Sequence, residues 1–167
     1  LVKGDTLTAP SSERCFTVAS TPTNRTDGGL DWLLEVLAPP IGETGNDVEA
    51  AIAAERIRKL LSVGVKSKNL AVMSPFRMQL ESISNLLESS IGREIAYRTP
   101  HGVRAETWGH VIISCGTRHA QAIDARELYT MMRSAITRVY VIGCEELFDN
   151  HPLLRNMDVP VAKQARP

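Results

Sequence analysis

A chain of 167 residues has the length of one compact α/β domain, enough to bury about two-thirds of the surface its unfolded form exposes. Lys plus Arg and Asp plus Glu each count 19, which excludes a strong global field drawing the chain to nucleic acid or an anionic membrane and confines any polyanion site to a local cluster. The three cysteines, Cys15, Cys115 and Cys144, are odd in number, far apart and without a C-x-x-C pair, so neither a disulfide framework nor a structural zinc site is expected and all three read as reduced core thiols of a cytoplasmic protein.

The chain opens on Leu1 rather than Met and is expected to be part of a longer polypeptide. Residues 1–29 are rich in Ser, Thr, Pro, Asn and Gly, with one short β-prone run at Cys15 to Ala19, and read as an irregular lead-in. Leu30 to Leu37 is an apolar run assigned to a strand, ended by Pro39, Pro40, Gly42 and Gly45. Asn46 with Glu49 three residues on predicts a capping box, and Ala50, Ala53, Ala54, Ile57, Leu60 and Leu61 place one apolar stripe on the helix that runs to about Ser62.

After Gly64, Asn69 to Met73 predicts a short strand, and Ser74-Pro75 turns it into a second helix whose Phe76, Leu80, Ile83 and Leu87 recur at helical spacing. Ile95 to Thr99 is a brief strand. Val111 to Cys115 is a continuous apolar run of the kind found in a central parallel strand buried on both faces. Asp124 and Glu127 cap a further helix, which carries Leu128, Met131, Met132 and Ala135 inward and leads to a strand from Val139 to Ile142. Alternating helices and strands of this order predict a three-layer α/β fold, a mostly parallel sheet flanked by helices, spanning residues 30–157, with a tail at 158–167. No segment approaches the roughly 18 uninterrupted apolar residues of a membrane span, and no cleavable signal is visible.

The run Leu70-Ala71-Val72-Met73-Ser74-Pro75-Phe76-Arg77-Met78-Gln79 resembles the strand, Pro, aromatic, Arg and Gln pattern of superfamily-one helicases. The segment from Thr99 through His101, Arg104 and Glu106 to the strand ending at Ser114 resembles their fifth motif, and Leu128 to Gly143 resembles the sixth, a helix bearing an arginine followed by a strand ending in Gly. Gly29 to Trp32, Asn46 and Glu49-Ala50 resemble the approach to the same domain, and Asn150 to Leu154 its exit. The resemblance implies a P-loop NTPase-like fold, the second RecA-like motor domain of a DNA or RNA helicase. The chain holds no G-x-x-x-x-G-K-S/T loop, so a phosphate cradle must come from elsewhere in a longer polypeptide and the isolated chain should be inactive.

By that resemblance Arg77, at the start of a helix beyond a strand end, and Arg133 are the candidate catalytic cations, Arg133 as the finger. Arg77, Gln79, Arg104 and Glu106 are candidate nucleotide-binding residues, Gln79 for adenine or for an intradomain hydrogen bond, with a solvated surface glutamine the stronger reading of it. Thr99, His101 and Arg104 are candidate nucleic-acid contacts. The pattern departs from the family's in that Arg104-Ala105 replaces Gln-Gly or Lys-Gly, the family's Glu falls on Thr107 in ungapped register with Glu106 one place early, and the finger falls on Ser134 with Arg133 beside it. Trp108 reads as a half-buried core residue, and His101 reads equally as a structural histidine. The implied cofactor is ATP with magnesium, bound by the parent and not by this chain alone, and no metal cluster is found. The implied partners are single-stranded or duplex nucleic acid and an N-terminal motor domain of the same polypeptide, with no membrane. A catalytically decayed domain that binds nucleic acid or protein is the alternative.

Overall fold

The computed structural model describes residues 15–16, 33–37, 47–117 and 119–155. The boundaries expected at 29/30 and 157/158, the tail, and Asn46 of the expected capping box lie outside these residues. Six strands form one sheet in the order β1-β2-β6-β5-β3-β4: β1 (Cys15–Phe16), β2 (Leu33–Leu37), β3 (Leu70–Met73), β4 (Ala96–Arg98), β5 (Trp108–Ser114) and β6 (Ala135–Ile142). β2, β6, β5, β3 and β4 run parallel, and β1 adds to β2 as an antiparallel edge. The strand expected at Leu30 to Leu37 is β2, and the mostly parallel sheet is as the helix and strand alternation predicts.

Helices cover both faces. α1 (Asp47–Ser62) buries Ala50, Ala53, Ala54, Ile57 and Leu60 and is followed by a turn at Gly64, whose φ of +92° suits a residue without a Cβ. α2 (Arg77–Asn85) buries Leu80 and Ile83, and the single turn α3 (Ser89–Gly92) follows. These pack with Leu70, Val72, Ile112, Tyr140 and Ile142 into the core on one face of the sheet. On the other face Ala71, Met73, Val111, Ile113, Val139 and Val141 meet α4 (Ala125–Met132) through Leu128, Met131 and Met132, together with Leu147 of α5 (Glu145–Asn150) and Leu154 of α6 (Pro152–Arg155). Each fully buried aliphatic side chain contributes about 1.5–3 kcal/mol, so these two cores dominate the stability of the domain. β3 is buried at all four positions, as expected of a strand covered on both sides.

Two boundaries differ from those expected. β5 begins at Trp108 rather than Val111, with an irregularity in its register between Trp108 and His110. α4 stops at Met132, so Ala135 opens β6 instead of closing the helix, and the strand starts four residues before Val139. α4 itself begins as predicted: the Asp124 carboxylate accepts hydrogen bonds from the Arg126 and Glu127 backbone N–H groups at 2.7 and 3.4 Å. His151 is fully buried between the last helices, its Nε2 3.0 Å from the Ile123 carbonyl and its Nδ1 accepting from the Leu153 N–H at 3.3 Å. No helix among the described residues is long and apolar enough to cross a membrane.

Candidate functional site

Because β3, β4, β5 and β6 are parallel, the segments that leave them gather on one edge of the sheet, where ligands of open α/β sheets bind. Leaving β3, the fully buried Ser74 accepts a hydrogen bond from the Phe76 N–H at 3.2 Å, which sets the turn that starts α2 at Arg77. Leaving β4, Thr99 precedes the short turn Pro100–Gly102. Arg77, Leu80, Glu81 and Ser84 of α2 face Tyr97, Arg98, Thr99 and Gly102 across an open groove of about 390 Å³. Arg77 is exposed on its rim.

Arg98 is already engaged. Its Nε lies 3.3 Å from a Glu106 carboxylate oxygen, its Nη1 donates to the Tyr97 carbonyl at 3.0 Å, and its guanidinium stands 6.0 Å from the Trp108 ring centre. Trp108 is buried in the core beneath, which is the core role expected of it.

Beside the groove lies a buried polar relay. Gln79 Nε2 donates to Ser114 Oγ at 2.9 Å, Ser114 Oγ donates to Glu49 Oε2 at 2.9 Å, and the Gly116 N–H donates to the same carboxylate oxygen at 2.8 Å. Glu49 is only 1% exposed, and that burial lifts its carboxyl from 4.5 to about 7 although the bonds from Gly116, Ser114 and Cys115 pull it down. Gly116 holds φ at +63°, and a Cβ there would stand 3.2 Å from the Phe76 ring. The relay ties the start of α1 to the exit of β5 and to α2.

A family model described as an AAA domain matches residues 33–146, well over half of the chain. The chain belongs to this AAA-domain family. It is a domain of the superfamily-one helicase type, and the matched span runs from β2 to the first turn of α5. No curated protein matches the chain.

Set on this AAA domain, the candidate residues separate into groups. Arg77 and Thr99 share the groove. Gln79 does not stand at the surface as expected: it is fully buried, and its amide serves the relay, which is the intradomain alternative to contact with an adenine. His101 is exposed, with Nε2 3.6 Å from a Glu127 carboxylate oxygen on α4, and Arg104 is exposed on the loop that follows. Glu106 is exposed and turned to Arg98. Arg133 is the exposed C-cap of α4, its guanidinium 6.0 Å from the Tyr129 ring centre, and it lies outside the groove that Arg77 lines. Ser134, where the resemblance puts the finger in ungapped register, is 3% exposed and donates to the Met131 carbonyl at 2.6 Å with Met73 Sδ 3.5 Å away.

The relay residues Glu49, Ser114 and Gly116 escaped the sequence reading as a group. Glu49 was expected in a capping box with Asn46, which lies outside the described residues; its carboxylate also reaches residues far along the chain. The signal available was the Glu49-Ala50 pair within the resemblance, which marks a residue without saying what it touches. Cys115, fully buried, and the half-buried Cys144 are free thiols, each pushed up by burial. No group of three metal-ligating side chains exists among the described residues.

Proposed function

We propose that this domain is the second half of an ATP-driven motor that moves on nucleic acid, and that it supplies phosphate-contacting arginines and part of the track for the strand. The observation that carries the reading is the groove at the carboxyl ends of parallel strands, where an exposed Arg77 stands beside Thr99 in a domain of the helicase-type family. ATP with magnesium belongs to a first motor domain bearing the phosphate-binding loop, and this domain closes on it. Arg77 and Arg133 fit the role of phosphate contacts because both guanidinium groups are exposed. Gln79 does not fit an adenine contact, because no part of it is open to a ligand.

A second reading, a decayed motor kept as a binding module, is favoured by one observation: the finger position in ungapped register holds Ser134, whose hydroxyl is packed inside the core. The test is ATP hydrolysis by the full-length polypeptide, with and without single-stranded nucleic acid, compared with Arg133→Ala. Arginine fingers are worth about 10³ to 10⁵ in rate. Strand-stimulated hydrolysis that collapses in the variant supports the motor with Arg133 as its finger. Tight strand binding without hydrolysis selects the binding module instead.

A further inference from the structure

We propose that the groove between α2 and β4 seats one backbone phosphate of a nucleic-acid strand, with Arg77 as its cation, so that Arg77 serves the strand rather than the nucleotide. This rests on the motor reading and divides the two arginines that it leaves together.

Three observations carry the division. The first is charge. The groove holds Arg77 and Arg98 as cations and Glu81 as an acid, and Arg98 is engaged by Glu106 outside it. Arg77 has no ion pair or hydrogen bond to another described side chain, so the groove presents one uncommitted guanidinium. A phosphodiester carries one negative charge, which one guanidinium meets in bidentate fashion. The terminal phosphoryl group of a triphosphate carries more and is held by several cations with a metal ion, and Glu81, four residues on along the same helix, repels such a group.

The second is shape. Among the described residues β4 is the last strand of the sheet, and the groove beside it is open to solvent, so a chain can enter and leave, whereas a reacting nucleotide is closed off from water. Thr99 and Gly102 line the opposite wall of the groove.

The third is separation. Arg77 follows the carboxyl end of β3 and Arg133 precedes the amino end of β6, a parallel strand of the same sheet, and only Arg77 lines the groove. The structure thus does not gather the two cations around one phosphate.

The experiment uses the full-length polypeptide, a single-stranded oligothymidylate and ATP as separate probes, and the variants Arg77→Ala, Arg77→Lys and Glu81→Gln. The expected result for Arg77→Ala is roughly tenfold weaker oligonucleotide binding at low salt. Its log affinity against log salt should also flatten by about 0.7, the share of one phosphate contact on a single strand. ATP affinity measured without the strand should not change. Arg77→Lys should keep the salt slope, and Glu81→Gln should bind the oligonucleotide more tightly than the parent. An Arg77→Ala protein that loses ATP affinity with its salt slope intact places the residue on the nucleotide and overturns the assignment, and so does one that changes in neither measurement. A parent that binds no strand at all overturns the motor reading itself, and this assignment with it.

Discussion

Glu49 is the residue whose chemistry is furthest from its ordinary state. Burial raises its carboxyl from 4.5 to about 7, so the folded chain holds this proton more tightly than the unfolded one. The stability that follows is fully present below about 4.5 and is lost as pH rises through about 7; at about 1.36 kcal/mol per unit the difference is on the order of 3 kcal/mol. Among the described residues, the titratable groups that share its field are the Cys115 and Cys144 thiols, both raised by burial and neutral across this window. Glu49→Gln keeps an oxygen for the Gly116 N–H and removes the buried charge. Thermal midpoints of the variant should therefore fall less between pH 5 and pH 8 than those of the parent, and parallel profiles would remove the carboxyl from the account. Gly116 gives a companion test. Alanine at its φ of +63° costs about 1–2 kcal/mol in left-handed backbone, and its Cβ would press on the Phe76 ring at 3.2 Å. Gly116→Ala should lower the unfolding free energy measured in urea by that amount, and an unchanged value would show that the loop relaxes.

At the scale of elements, α4 depends on a single cap. Asp124 accepts from two backbone N–H groups, so Asp124→Ala should cost about 1 kcal/mol in chemical denaturation, and no loss would mean that water replaces the carboxylate. This cap was legible because its spacing is local. The same locality explains which boundaries were not. β6 was expected only from Val139 because Ile136, Thr137 and Arg138 near its start are exposed: among the described residues β2 meets β6 from Arg138 onward, and the earlier residues gave no apolar run. β5 was likewise seen only where Val111, Ile112 and Ile113 are covered on both faces, while Gly109 and His110 at its start are half exposed. Parallel order and layer number could be read from alternation, since each buried stripe needs a sheet face to cover it. The Gln79, Ser114 and Glu49 relay could not, because it joins residues 35 and 65 positions apart, and Gln79 looks like any polar residue on the first turn of a helix. Of the candidate site, Arg77 and Thr99 were named through the resemblance. Their common groove was not, because it depends on α2 lying against an edge strand.

Taken as a whole, the domain exposes Arg77 at the edge where the strands end and Arg133 at the foot of α4, two separate places on its surface. At the foot of α4 the residue that the resemblance puts in register with the finger is Ser134, packed against Met73 on β3 and bonded to the last turn of α4. The exposed neighbour Arg133 rests over Tyr129, a contact worth about 0.5–1 kcal/mol at an exposed site. This arrangement predicts opposite outcomes for two substitutions one residue apart. Ser134→Arg forces a guanidinium into the core around Met73, Met131 and Met132, where no described carboxylate is placed to receive it, and an uncompensated buried charge costs roughly 3–5 kcal/mol. Arg133→Ala removes only the contact with Tyr129 and should leave the unfolding free energy within about 1 kcal/mol of the parent's. Midpoints measured side by side decide the matter. If Ser134→Arg is as stable as the parent, its guanidinium has found a way out to solvent and the finger can be supplied from position 134 after all. If it unfolds early while Arg133→Ala does not, a loss of hydrolysis in the latter is a loss of chemistry rather than of fold, and the cation of this surface is Arg133.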